Sequence, residues 1–177
     1  MAIQIGAKPD SGFDDPIGML KDCHRRIERF LQILCVVADS ELGRTLTDEE
    51  TSAVQAALQY FRTGGQRHTA DEEKSLFPRL RAVLSPGSLD EIDKLEDEHR
   101  SANNLHQTVE TLYLAWMAAG ALNPEDSGRL ESATKRLKQL YLAHIEVEEG
   151  IVFPRAAAML DSQAIAAMGA ELRARRQ

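Results

Sequence analysis

Two short stretches of the sequence repeat a combination of residue types that can bind metal ions. One begins at His68 and the other at His144, 76 residues later, and each reads His-x-x-x-Glu-Glu followed by Phe-Pro-Arg. Residues four apart on a helix leave the same face, roughly 6 Å from one another. Each His can therefore contact the same ion as the Glu four residues later, Glu72 or Glu148. The duplication predicts a metal site built by two related halves of the chain.

A single histidine precedes each motif at nearly the same separation. His24 and His99 lie 75 residues apart, and both occur in the sequence Asp-x-His-Arg. On the apolar side of a helix, an imidazole must be hydrogen-bonded or coordinated, and an unpaired carboxylate costs still more. A cation removes both costs. The candidate metal ligands are therefore His24, His68, Glu72, His99, His144 and Glu148.

The donor types indicate which metals would fit. Four neutral imidazoles and two carboxylates suit iron, and also manganese or zinc. A carboxylate has two oxygens and can bridge two cations. Two such bridges leave a pair of ferrous ions with net positive charge, which favours an added oxo, hydroxo or peroxo anion.

Other interpretations of these residues exist. Many solvated helix faces carry a His and a Glu four residues apart as a simple ion pair, and a buried His often bonds to a backbone carbonyl. The position of the pairs on apolar faces, and their duplication, favour the metal site.

Long amphipathic helices are expected to position these residues. Apolar residues recur every three or four positions from about Pro16, and the first helix should end near Gly43. Thr47-Asp-Glu-Glu50 has the form of a capping box and should start a second helix. That helix should end by Phe77, because Pro78 disfavours helical geometry in the residue before it. Gly64-Gly65 interrupts it and indicates either a close helix approach or a local bulge.

The second half of the chain predicts two further long helices. Ser88 can cap the third, which should end at Gly120, and Pro124 should open the fourth, which Pro154 bounds. Residues 162–173 predict a short final helix. The fold class is therefore all-α, an up-down-up-down four-helix bundle with a short C-terminal helix. We expect a flexible leader over 1–15, the bundle over 16–156 and a helical extension over 157–177.

Composition excludes several other classes of protein. The 177 residues suffice for one domain, 43% are hydrophobic and 28% charged, and the net charge of −7 argues against nucleic-acid binding. No secretory signal and no membrane-spanning apolar run are visible. Cys23 and Cys35 would lie roughly 18 Å apart along one helix, too far for a disulfide. A cytoplasmic location with free thiols is expected.

The two His-x-x-x-Glu-Glu-x-x-x-Phe-Pro motifs, with the two lone histidines, resemble those of bacterial hemerythrin-like (HHE cation-binding) proteins. The resemblance covers residues 16–156. It implies a non-haem di-iron site in which Glu72 and Glu148 are the bridges. By the same resemblance one iron is bound by His24 and His68 and the other by His99 and His144. The implied function is binding of O₂ or NO for sensing, storage or stress response.

The sequence departs from the oxygen carriers of that family at two positions. Carriers have a second His four residues after the third-helix one, where this chain has Asn103. Their last carboxylate is an Asp five residues after the fourth-helix His, whereas here Glu148 comes at four and Glu149 at five. One iron would therefore have one imidazole fewer. This favours sensing or redox reactivity over stable oxygen carriage.

Three classes of function follow from the resemblance and its departures. We expect a non-catalytic metal- and gas-binding protein, a monomer or homodimer whose partner is a small diatomic ligand. One alternative is a di-iron redox enzyme, such as an oxidase, a peroxidase or a nitrosative-damage repair protein. Another is an iron-responsive regulatory bundle that depends on metal for its stability.

Several polar residues near the motifs have roles outside the ligand set. Glu28 follows His24 by four positions but should belong to a charged flank among arginines. Glu73 and Glu149 lie about 100° around the helix from Glu72 and Glu148 and should support the site or face solvent. His106 is expected to line a pocket or to pack in the core. Cys23 is expected to face away from the site.

Overall fold

The computed structural model describes residues 10–40, 43–85, 87 and 90–177, and this part of the chain contains helices and no strand. The predicted all-α class is confirmed. The α-helices are α1 Pro16–Ala38, α2 Asp48–Tyr60, α3 Gln66–Asp71, α4 Phe77–Val83, α5 Asp90–Ala119, α6 Pro124–Val147, α7 Phe153–Met159 and α8 Ser162–Ala174.

Turns of π-helix join some of these helices into longer rods. Phe61–Gly65 connects α2 to α3, Glu72–Leu76 connects α3 to α4, and Glu148–Val152 connects α6 to α7. Within the described residues the long rods are therefore α1, α2–α4, α5 and α6–α7. In chain order each rod contacts the next, and α6 also contacts α1, which closes the bundle. The predicted four-helix bundle with a short final helix is confirmed.

Two clusters of buried apolar side chains lie on either side of the histidines. On α1, His24 lies between Leu20, which belongs to the smaller cluster, and Ile27, which belongs to the larger. The same order recurs around His99 on α5. The polar residues are therefore placed between two apolar regions of the core, where water cannot easily satisfy them.

The predicted ends of the second and fourth helices were wrong. Helical structure continues past Pro78 to Val83 and past Pro154 to Met159. At the two π turns that precede a proline, the backbone N–H of the Phe donates to a carbonyl five residues earlier, Phe77 to Glu72 and Phe153 to Glu148. A proline has no N–H and clashes with the carbonyl four residues before it. The wider turn accommodates the proline and lets the rod continue.

A widened turn also explains the paired glycines in the second rod. Gly64 and Gly65 end the π turn that begins at Phe61, so the bulge is observed. A Cβ atom at Gly64 would lie 2.6 Å from the ring of Tyr60, so a side chain there would force that ring to move.

Caps define several helix ends. The capping box of Thr47 and Glu50 is present at the start of α2. In the second half, Asn123 caps α6, because its side-chain oxygen accepts a hydrogen bond from the N–H of Asp126 at 2.9 Å. The first helix ends at Ala38, before the predicted end. The predicted cap Ser88 lies outside the described residues, as do residues 1–9 of the expected leader. No helix in the described ranges is long and apolar enough to cross a membrane.

Candidate metal centre

The six predicted ligand side chains meet inside the bundle. Each of the four rods contributes one histidine, and two of the rods also contribute a carboxylate at the start of a π turn. All six are buried, with at most 8% of any residue exposed. They are His24, His68, Glu72, His99, His144 and Glu148.

These residues form two groups of four that share both carboxylates. One group contains His24 and His68 and the other contains His99 and His144, and Glu72 and Glu148 belong to both. Within each group, one ligand atom of every residue lies within 4.8 Å of the others. The arrangement has the donor types and spacing that a pair of cations requires.

Glu72 directs one oxygen to each pair of imidazoles. Its Oε1 lies 3.2 Å from Nε2 of His68 and 3.9 Å from Nε2 of His24. Its Oε2 lies 3.3 Å from Nε2 of His99. The carboxylate is fully buried and is oriented to contact both groups at once.

Glu148 repeats this arrangement from the fourth rod. Its Oε2 lies 3.1 Å from Nε2 of His24, and its Oε1 lies 3.3 Å from Nε2 of His144. Among the described residues, neither oxygen of Glu148 or Glu72 receives a hydrogen bond. Four buried carboxylate oxygens without donors are costly in an apolar core, and a cation would satisfy them.

Outer carboxylates fix the orientation of the two lone histidines. Nδ1–H of His24 donates to Oε1 of Glu149 at 2.8 Å, and Nδ1–H of His99 donates to Oε1 of Glu73 at 2.9 Å. An ionised carboxylate only accepts, so each ring carries a proton on Nδ1 and turns Nε2 inward, where a raised pKa favours a second proton until a cation replaces it. Glu73 and Glu149 thus support the histidines, one of the two roles that the sequence predicted for them.

The remaining two histidines differ from each other. Nδ1–H of His144 donates to Oε2 of Glu98 at 2.9 Å, whereas Nδ1 of His68 has no partner in the described part of the chain. No sequence motif pointed to Glu98. The residue 75 positions earlier is Cys23, which is why the comparison of the two halves gave no signal for a carboxylate there.

Two ring nitrogens face each other closely inside the second group. Nε2 of His99 lies 3.1 Å from Nε2 of His144. Because Glu73 and Glu98 accept the Nδ1 protons, each ring presents a lone pair to the other whenever both rings are neutral. Two lone pairs at this distance repel unless a proton or a metal cation lies between or beside them.

The buried carboxylates also change the pKa values of the histidines. Burial lowers the pKa of His24, but Glu148 and Glu72 outweigh burial and raise it to about 10. The pKa of His99 rises to about 9 in the same way, against the effect of burial. For His68, burial dominates and the pKa is lowered. Although burial opposes it, the imidazoles hold the pKa of Glu72 well below its usual value, so this carboxylate stays ionised and attracts a cation.

A third buried carboxylate lies next to the first group but does not join it. Asp71 is fully buried, and Nε of Arg175 and Nη2 of Arg176 each lie 2.6 Å from one of its oxygens. Arg175 caps the C-terminal end of α8, and Arg176 follows it. The C-terminal helix therefore docks against the rod that carries Glu72. Ser75, on the same rod, bonds to Glu171 of α8 at 2.5 Å. Sequence reasoning missed this contact.

The other residues considered from the sequence lie outside the two groups. Glu28 pairs with the exposed Arg25 at 2.9 Å, as expected for a charged flank. Cys23 and Cys35 are buried free thiols. His106 and Asn103 line a cavity of about 210 Å³ that His99 also borders.

Comparison with known proteins agrees with this geometry. Residues 15–156 match the family model of the hemerythrin HHE cation binding domain. The match covers most of the chain, so the protein belongs to the hemerythrin HHE family. An uncharacterised protein of Haemophilus influenzae is 29% identical over 165 residues, which are 93% of this chain and 92% of that relative. The His/Glu groups fit the metal binding of a cation-binding domain.

Proposed function

We propose that the protein binds a pair of iron ions between the two groups of histidines. His24 and His68 would hold one ion, His99 and His144 the other, and Glu72 and Glu148 would bridge them. The observation that carries this proposal is the orientation of the carboxylates, each with one oxygen toward each group. Imidazole and carboxylate donors together suit iron, whereas magnesium prefers sites made only of oxygen atoms.

The proposed function of this centre is to bind O₂ or NO for sensing, storage or stress response. When bound, a pair of iron ions can accept a diatomic ligand and exchange electrons with it. The chain's own residues prepare the site. Glu73, Glu98 and Glu149 hold the Nδ1 protons of three rings, which keeps their Nε2 atoms available for coordination and raises their basicity.

The surroundings of the centre support exclusion of bulk water. Apolar clusters lie on both sides of the histidines, and the ring of Phe153 stacks on His24 with the centroids 5.4 Å apart. The ring of Phe77 stacks on His99 at 6.1 Å. These Phe residues belong to the two repeated motifs and hold the imidazole planes.

We further propose that residues 16–156 form the metal-binding bundle and that residues 157–177 cover part of it. We expect a monomer or homodimer in the cytoplasm, with a diatomic ligand as its partner and no nucleic acid. The burial of both free thiols and the charge of −7 support this expectation.

The direct test is the visible absorption spectrum of the iron-loaded protein. The reduced protein is prepared without air and then exposed to O₂ or, separately, to NO. A new absorption band is expected in each case. An iron-loaded protein whose spectrum responds to neither gas would contradict the proposed function.

A redox enzyme is the second candidate, and the cavity beside His99 favours it. At about 210 Å³ the cavity is larger than a diatomic ligand needs. Catalytic removal of hydrogen peroxide by the iron-loaded protein, lost in His99→Ala, would support an enzyme. Stoichiometric binding without turnover would support the binding protein.

A further inference from the structure

The cavity beside His99 contains groups that the proposed metal centre does not use. A water molecule's share of the liquid is about 30 Å³, so about 210 Å³ corresponds to several waters. Phe61 and Ala102 contribute apolar wall, and His106 and Tyr141 contribute polar atoms. Arg100 adds a positive charge to the lining, and Glu73, whose carboxylate bonds to His99, adds a negative one. The cavity therefore offers hydrogen bonds as well as space.

His106 and Tyr141 form a hydrogen-bonded pair across two rods. Nε2 of His106, on α5, lies 3.1 Å from Oη of Tyr141, on α6. The ring of Phe61 packs against both, with its centroid 4.3 Å from that of His106 and 6.4 Å from that of Tyr141. Packing on one side and the hydrogen bond on the other hold the tyrosine hydroxyl in one place.

The pair carries no net charge near neutral pH. Burial lowers the pKa of His106 to about 4, so the ring is neutral at pH 7. Burial also raises the pKa of Tyr141, so the hydroxyl keeps its proton. A neutral imidazole with its proton on Nε2 donates to the tyrosine oxygen, and the tyrosine O–H is then free to donate elsewhere.

Tyr141 lines the cavity and also lies close to the candidate metal centre. It precedes His144 by three residues on α6, and the centroids of the two rings are 6.3 Å apart. His99, which borders the cavity, bonds to Glu73 through Nδ1 and turns Nε2 toward the interior. A small molecule in the cavity would therefore have Tyr141 on one side and His99 on another.

We propose that His106 carries its ring proton on Nε2 and donates to Tyr141, and that Tyr141 in turn donates a hydrogen bond to a small anionic ligand, with an accepting oxygen or nitrogen, in this cavity. The proposal rests on the proposed function, because the ligand would enter the di-iron centre from the side of His99. It adds a preference, since a fixed O–H donor favours an anion over a neutral diatomic molecule. Asn103 lies on the lining of the same cavity.

Azide is the probe for this preference, with NO as the neutral comparison. In the oxidised, iron-loaded protein, azide affinity is measured by titration of the visible spectrum. Tyr141→Phe should weaken azide binding about 10-fold, because a hydrogen bond to a charged group has a net effect of that order. NO binding to the reduced protein should change less than about twofold, since a neutral ligand gains little from the donor.

Three variants separate the donor from its surroundings. Tyr113→Phe removes a buried hydroxyl that donates to the carbonyl of Leu34 and does not line the cavity, so azide affinity should be unchanged. His106→Leu should weaken azide binding in the same direction as Tyr141→Phe. His106→Gln keeps a donor for the tyrosine oxygen and should restore most of the affinity.

Iron content, measured by elemental analysis, should equal that of the wild type in all four variants. If Tyr141→Phe with full iron content binds azide as tightly as the wild type, the inference fails and the proposed function stands. An equal loss for azide and NO would also overturn it, because that result indicates a general disturbance. A wild-type protein that binds no iron would overturn both.

Discussion

His68 and His144 occupy matching positions 76 residues apart, but only His144 has a partner for its outer ring nitrogen. Glu98 accepts the Nδ1 proton of His144, whereas Cys23 stands at the matching position of the first half. The Nδ1 atom of His68 is buried without a hydrogen bond to any residue that the structure describes. A carboxylate on the outer nitrogen raises the basicity of an imidazole ligand. We therefore expect the second half to hold its ion more tightly.

The outer surfaces of the two halves differ as well. Asp71 precedes Glu72 in the first half and binds two arginines of the C-terminal segment, whereas the matching residue in the second half is Val147. The cavity lined by Asn103 does not distinguish the halves, because Phe61 and Glu73 of the first half also line it. The comparison indicates that α8 fastens the first half, whereas both halves border the cavity in which we propose that a ligand binds.

Loss of a shared carboxylate should have the largest effect on metal content, and the effect should be the same whichever half supplies the carboxylate. Glu72→Ala and Glu148→Ala should each lower the metal content from about two ions per chain to fewer than one, because each removes a ligand from both groups. Elemental analysis measures this. Glu146→Gln changes an exposed carboxylate on the same rod as Glu148 and should keep full metal content. Full content in either alanine variant would contradict shared carboxylates.

Loss of the arginine pair should destabilise the first half. The double substitution Arg175→Ala and Arg176→Ala leaves Asp71 buried and unpaired, which should lower the free energy of unfolding by about 3 kcal/mol. Urea unfolding of the metal-free protein gives this value. Arg129→Ala, which removes an exposed arginine paired with Asp126, should cost less than about 0.5 kcal/mol. If the two variants were equally stable, the proposal that α8 stabilises the first half would be wrong.

Substitution of Glu98 tests whether the carboxylate bonded to Nδ1 of His144 strengthens metal binding in the second half. Glu98→Ala should weaken the binding of one of the two ions about 10- to 100-fold, the usual effect of losing the carboxylate behind a histidine ligand. Cys23→Ala at the matching position should change affinity less than about twofold. Competition with a chelator of known affinity measures both variants. Similar losses in the two would show that the halves are supported alike.

The smallest expected effect concerns the helix caps that start the second and fourth rods. The guanidinium of Arg44, together with the backbone N–H of Thr47, lowers the pKa of Glu50 from 4.5 to about 2. A lowered pKa in the folded state stabilises the protein above the unfolded-state pKa, and this contribution disappears as pH falls through the folded-state value. Glu50→Gln should therefore be slightly less stable than the wild type at pH 7.

This difference in stability should shrink as the pH falls from about 4.5 to about 2. Thermal unfolding at a series of pH values measures it. Asp126→Asn at the matching cap of α6 serves as the comparison for the second half. A stability difference for Glu50→Gln that is constant across this range would contradict the role of the Arg44 pair.

The sequence predicted the parts of the molecule that repeat. Helical periodicity, the capping residues and the duplicated His-x-x-x-Glu motifs were sufficient to predict the bundle and the six residues that meet in it. Each of these signals lies within a few residues of chain, which is why a single sequence contains them.

The sequence did not predict what depends on long-range packing. The prolines of the Phe-Pro pairs indicated helix ends, but Phe77 and Phe153 keep right-handed helical angles before them, in rods that the π turns allow to continue. Glu98 and the Asp71–Arg175 contact join residues 46 and 104 positions apart. Nothing in the local sequence indicates such pairings.

The most direct measurement of the central claim is anomalous X-ray diffraction at the iron edge from crystals of the iron-loaded protein. Two peaks are expected inside the bundle, one beside His24 and His68 and the other beside His99 and His144, with Glu72 and Glu148 contacting both. A single peak, peaks confined to the surface, or no peak in the interior would contradict a shared pair of iron ions.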